Sequence, residues 1–149
     1  MDIKAKVSGR IAKPVHEVFE AVADPAKLSG YFTTGGARGR LETGATVTWD
    51  FADFPGAFPV KVMEVVPDSR IVLRWGSPEQ GHDHENTVTM TFEGLEDGRT
   101  LVTIVETGWS ETQQGVDGAV GNTEGWAGML AAMKMFLEHG INLRQGFYK

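Results

Sequence analysis

Four groups of residues in this chain have types and spacings that bear on chemistry. The first is a set of aromatic and methionine side chains. Trp49, Phe51, Trp75, Met90, Phe92 and Trp109 fall in alternating stretches. Trp126, Met129 and Met133 recur at helical spacing near the end, and Phe32 lies on the apolar side of a short early helix. Ligand cavities are lined mainly by such groups, and methionine adapts to varied shapes. The same side chains also fill ordinary cores, so they form a pocket only if their elements leave space between them. The second group is His82-Asp83-His84-Glu85. In an extended segment the two histidines share a face and could grip one ion. The stretch from Gly76 to Glu85 is polar, however, and no cysteine or third histidine is near. It reads as a solvated loop that holds no metal. The third group, Asp50, Glu64, Arg74 and Glu106, consists of charges set within strands. Strand charges usually face water; one turned inward could orient a ligand or serve as acid or base. The fourth, Gly35-Gly36-Ala37-Arg38-Gly39, follows a helix rather than a strand. It therefore reads as a turn and not as a phosphate cradle. No nucleophile elbow, Walker loop or His-Glu-x-x-His helix is present, so no catalytic residue or cofactor is assigned.

Those groups need elements to position them. Ile3, Ala5, Val7 and Ile11 alternate with polar residues, as in a strand with one wet face. Pro14 opens a helix carrying Val15, Val18, Phe19 and Val22. Asp24-Pro25 then stops that helix and starts a second, with Leu28, Tyr31 and Phe32 on its apolar side. Alternating stretches follow at Ala45–Phe51, Phe58–Val66, Ile71–Trp75, Thr87–Phe92 and Leu101–Trp109, separated by turn signals too short for parallel crossovers. From about Asn122 the period becomes helical, and Trp126, Met129, Leu130, Met133, Phe136, Leu137 and Ile141 make one stripe. Gly115, Gly118, Gly121 and Gly125 leave the start of this helix open, because each glycine weakens a helix by up to about 1 kcal/mol relative to alanine. Ala131 and Met135 widen the apolar girth beyond the stripe. A concave sheet could cover that girth, and a second copy of the chain could cover what the sheet does not, which makes a homodimer an expectation.

Composition bounds the function. A chain of 149 residues suits a single domain spanning 1–149. The absence of cysteine excludes disulfides and thiolate chemistry and fits a reducing, cytoplasmic setting. No signal peptide or membrane span is read at either end. A net charge of −6 opposes nucleic-acid binding, and the one close basic pair, Arg38 and Arg40, reads as a solvated hairpin edge.

Several segments carry a resemblance. They are the opening strand running into Pro14-Val15-His16-Glu17-Val18-Phe19; the pair Val60-Lys61-Val62-Met63-Glu64-Val65-Val66-Pro67 and Arg70-Ile71-Val72-Leu73-Arg74-Trp75; Thr100-Leu101-Val102-Thr103 leading to Thr107-Gly108-Trp109; and Gly125-Trp126-Ala127-Gly128-Met129-Leu130. In order and spacing they resemble the START-like, birch-pollen-allergen-like (SRPBCC) superfamily, and within it the family of activators of heat-shock protein 90 ATPase. The resemblance implies an α+β helix-grip fold, with a curved antiparallel sheet wrapped around a long C-terminal helix and two short helices after the first strand. It also implies a cavity between sheet and helix. The expected function is binding of a small hydrophobic or aromatic molecule there. Rival readings are a cyclase- or hydratase-type enzyme using polar groups in the same cavity, and a protein-interaction module akin to the co-chaperone domain. The true co-chaperones carry a further chaperone-binding domain. This chain begins at its first strand, so a chaperone partner is not expected.

Overall fold

In the computed structural model, which describes residues 1–81 and 83–149, the opening alternation forms β1 (Ala5–Ile11). Helices α1 (Val15–Ala23) and α2 (Pro25–Leu28) follow. Asp24 both ends the first and caps the second, its Oδ1 accepting from the Ala26 N–H at 2.9 Å. Six strands come next: β2 (Gly36–Arg38), β3 (Thr46–Asp50), β4 (Phe58–Val66), β5 (Arg70–Gly76), β6 (Glu85–Gly94) and β7 (Thr100–Thr107). Helix α3 (Gln113–His139) closes the order. All seven strands make one antiparallel sheet in the order β1-β7-β6-β5-β4-β3-β2. The architecture is the expected α+β helix grip, with a curved sheet against a long C-terminal helix.

The sheet's inner face is apolar because the strands alternate. Val47 and Trp49, Val60 and Val62, Ile71 and Leu73, Val88 and Met90, and Val102 and Ile104 are all buried, two from each of five strands. Helix α3 lies across this face against β1 and β7, while α1 packs on β6 through the edge-on contact of Phe19 with Phe92 at 5.6 Å. Gly30, just beyond α2, lets the Phe136 ring come close; a methyl group there would stand 2.6 Å from it.

Two expectations are corrected. The segment read as a turn at Gly35–Gly39 contains the edge strand β2, paired with β3. Helix α3 begins at Gln113, well before Asn122. Thr112 caps it, its Oγ1 accepting from the Gly115 N–H at 3.1 Å. Two of the early glycines are there because of close packing: a Cβ at Gly115 would lie 1.9 Å from the Ser110 carbonyl oxygen, and one at Gly118 would lie 2.7 Å from the Trp109 ring. Helix propensity alone does not register such contacts. After Gly140, whose φ of +70° ends α3, the tail folds back over the helix. Tyr148 sets its hydroxyl against Gly128, and Leu143, Phe147 and Tyr148 lie beside Ala131. Ala131 itself stays exposed beside this tail. Among the described residues, no helix is long and apolar enough to cross a membrane.

Candidate functional site

The site is built around a strand charge. On β7, Val102, Ile104 and Glu106 share the inner face, so Glu106 points into the core and is fully buried. Pairing sets Glu106 opposite Val88 on β6, and sets Asn86, two residues earlier, opposite Trp75 on β5. Four neutral N–H groups converge on its carboxylate. From the sheet, Trp75 Nε1 (3.0 Å) and Asn86 Nδ2 (2.9 Å) donate to Oε2. From α3, Asn122 Nδ2 (2.9 Å) and Trp126 Nε1 (2.8 Å), one turn apart, donate to Oε1. One oxygen therefore serves the sheet and the other the helix. A carboxylate has about four lone-pair sites, and all are used. A buried carboxylate is costly unless so satisfied. What this one accomplishes is to fix two indoles, which stack with centroids 5.3 Å apart and planes 27° apart. Phe32 stacks on Trp126 at 5.8 Å.

Beside these rings a cavity of about 610 Å³ opens between the first half of α3, the sheet and the C-terminal tail. Six aromatic side chains line it: Phe32, Phe51, Phe54, Trp75, Trp126 and Tyr148. Gly121 and Gly125 form the helix side of the wall, and a Cβ built on either would meet nothing within 4 Å. The polar contributions to the wall are Asn122, Glu124 at the exposed rim, and Arg144. Arg144 comes from the tail, with its side chain only 10% exposed. Its Nε and Nη2 donate to the two oxygens of Asp53, each at 3.1 Å, and its guanidinium lies 4.5 Å from the Phe51 ring centre, 5.3 Å from Tyr148 and 5.5 Å from Phe32.

Of the ten residues expected to line a pocket, Phe32, Phe51, Trp75 and Trp126 stand in this wall. The other six do not. Trp49 is buried one layer behind, edge-on to Trp75 and Phe32. Met90, Phe92, Met129 and Met133 are in the packed core farther along. Trp109 covers the start of α3, its Nε1 donating to the Glu106 carbonyl at 3.0 Å. Of the four strand charges, Glu106 alone turns inward: Arg74 is exposed, Glu64 pairs with Arg70 on the surface, and Asp50 caps the next loop through the Gly56 N–H. His84, read as part of a solvated loop, is instead tethered: its Nε2 donates to the Gly108 carbonyl at 2.8 Å and lies 3.5 Å from buried Glu79. His82 lies outside the described residues. Sequence reasoning passed over Arg144, Asn122, Phe54 and Tyr148. Glu106 did carry a signal in its period-two register with Val102 and Ile104; Arg144, beyond the last periodic element, carried none.

The family model of Activator of Hsp90 ATPase homolog 1-like proteins matches residues 12–138, and the chain belongs to that family. No curated protein matches it. Among solved structures, a Staphylococcus saprophyticus protein is 29% identical over 95% of this chain and 96% of its own, with a TM-score of 0.80. DynU16, from the dynemicin biosynthetic locus, is 28% identical over 94% of this chain, with a TM-score of 0.79; this chain spans 49% of it. The Aha1 dimer of Colwellia psychrerythraea, at 20% identity, a TM-score of 0.78 and coverage of 93% and 98%, shares the fold.

Proposed function

We propose that this member of the Activator of Hsp90 ATPase homolog 1-like family binds a small apolar or aromatic molecule in the cavity between the sheet and the first half of α3. The observation that carries this reading is the glycine pair Gly121 and Gly125. Each weakens the helix by up to about 1 kcal/mol relative to alanine, and neither is required by a neighbour, since nothing stands within 4 Å of where a side chain would begin. Volume left open at two wall positions, Gly121 at the exposed edge and Gly125 deeper in, leaves room for a guest. The walls suit a flat apolar guest, and the indoles of Trp75 and Trp126 are held in place beforehand by Glu106, which lowers the ordering cost of binding. Acid–base chemistry in the same cavity is less well supported, because Glu106 is fully buried with its lone pairs already taken.

The test is titration with a neutral solvatochromic dye of wild type and of Gly125→Leu. The leucine grows into open space, so the variant should fold with an unchanged or higher denaturation midpoint and lose the dye. Dye affinity that is the same in both proteins, or no dye binding by wild type, would overturn the reading.

A further inference from the structure

We propose that the molecule taken up by this cavity is an aromatic acid, a flat ring system whose carboxylate or other anionic oxygen is received by Arg144. This rests on the binding reading above and names its ligand class. An arginine has five N–H donors; Arg144 spends two on Asp53, and among the described residues the other three have no hydrogen-bond partner. Its side chain is nine-tenths buried, in the wall of a cavity that is otherwise mainly aromatic. Donors that stand in the cavity wall without a protein partner are open to a guest, and a charge-assisted bond to an anion is the stronger kind of hydrogen bond they can make.

The surrounding charges set the sign. Glu124 is the acidic group on the cavity wall, and it is exposed, where water and salt screen it. Asp53 is buried but is already neutralised by Arg144. Lys149 sets its Nζ 4.5 Å from the centre of the Phe54 ring, and Phe54 lines the cavity, so a second cation stands on a wall residue. A cationic guest would meet the guanidinium already seated among Phe32, Phe51 and Tyr148. The chain's net charge of −6 repels anions on average, so a preference for an anion has to come from this local arrangement.

The experiment compares three probes of one shape, 2-naphthoate, 2-naphthalenemethanol and 2-naphthylmethylammonium, by tryptophan fluorescence and calorimetry. Wild type should bind naphthoate at least roughly tenfold more tightly than the alcohol, as a charged hydrogen bond predicts, and the ammonium most weakly. Arg144→Gln should bring naphthoate down to the level of the alcohol, and should cost the alcohol far less than it costs naphthoate. Asp53→Asn should tighten naphthoate, because it frees the guanidinium from its internal partner; a merely structural ion pair would weaken all three probes in both variants. The wild-type ranking needs no variant to fold. Equal binding of all three probes, or preference for the ammonium, would overturn this proposal and leave the binding reading standing. Failure of every probe, with the neutral dye failing too, would overturn both.

Discussion

The two halves of α3 belong to one continuous helix and do opposite things. From Met129 onward the helix is solid: Met129, Ala132 and Met133 are buried, and Leu130 reaches to 3.6 Å from the point where a Cβ on Gly9 would stand. One to two turns earlier, Gly121 and Gly125 border open volume, and the nearest large helix side chain, Trp126, is held by a hydrogen bond to Glu106 as well as by packing. Close packing needs only shape. A ring beside a void lacks neighbours on one side, so something directional has to hold it. The difference explains why the buried carboxylate sits where it does, at the boundary between the solid half and the hollow one.

Removing that carboxylate should have the largest effect. Glu106→Ala leaves four N–H groups without an acceptor and, at 1–3 kcal/mol for each buried orphan, should cost about 4 kcal/mol or more. Denaturant melts measure the loss, and dye titration of the folded fraction should show weakened binding, because the two indoles lose their orientation. A loss below about 1 kcal/mol with dye affinity intact would mean that packing alone holds the hollow half. Met133→Ala tests the other side of the comparison. It should cost about 3 kcal/mol, as a core methionine does, and leave dye affinity unchanged.

The next contrast lies within one helix. Gly115→Ala drives a methyl group into the Ser110 carbonyl and should destabilise by roughly 2 kcal/mol. Gly125→Ala meets nothing and should stabilise by up to about 1 kcal/mol. Thermal melts of the two variants should therefore move in opposite directions. Both moving downward would show that the space beside Gly125 is not open.

These glycines also show where the sequence stops being informative. Asp24-Pro25, the strand alternations and the methionine stripe specify the elements through local rules, and those elements formed. The glycines read locally as helix weakness, which hid the start of α3 and merged two unlike roles: close contact at Gly115 and Gly118, and open space at Gly121 and Gly125. Only tertiary neighbours tell these apart. Trp49 and Trp75 make the same point, since both face inward, yet Trp49 is covered by Trp75 and Phe32 and so stands behind the wall. Arg144 reaches the cavity because the tail doubles back after Gly140, which no periodicity in the tail announces.

The smallest expected effect belongs to the solid end, where a polar clip joins α3 to β1. The Glu138 carboxylate accepts from the Ala12 N–H at 3.0 Å and from Lys134 Nζ at 2.6 Å, and Lys134 also donates to the Arg10 carbonyl. The Ala12 N–H first, and Lys134 second, hold the Glu138 carboxyl below its ordinary range. A carboxyl whose folded-state value is depressed contributes stability that is fully present above its unfolded value, near 4.5, and is lost as pH falls through the folded one. Solvent screening at this exposed edge keeps the contribution below about 1 kcal/mol. The protection factor of the Ala12 amide in hydrogen exchange should therefore be constant from neutral pH down to the ordinary carboxylate range, and should fall only below it. In Glu138→Gln it should already be low at neutral pH. Because the clip is at the far end of α3 from the cavity, dye affinity at neutral pH should be the same in both proteins. If Glu138→Gln instead weakened the dye, the two halves of the helix would be mechanically coupled, and the boundary at Glu106 would not isolate the cavity from the core.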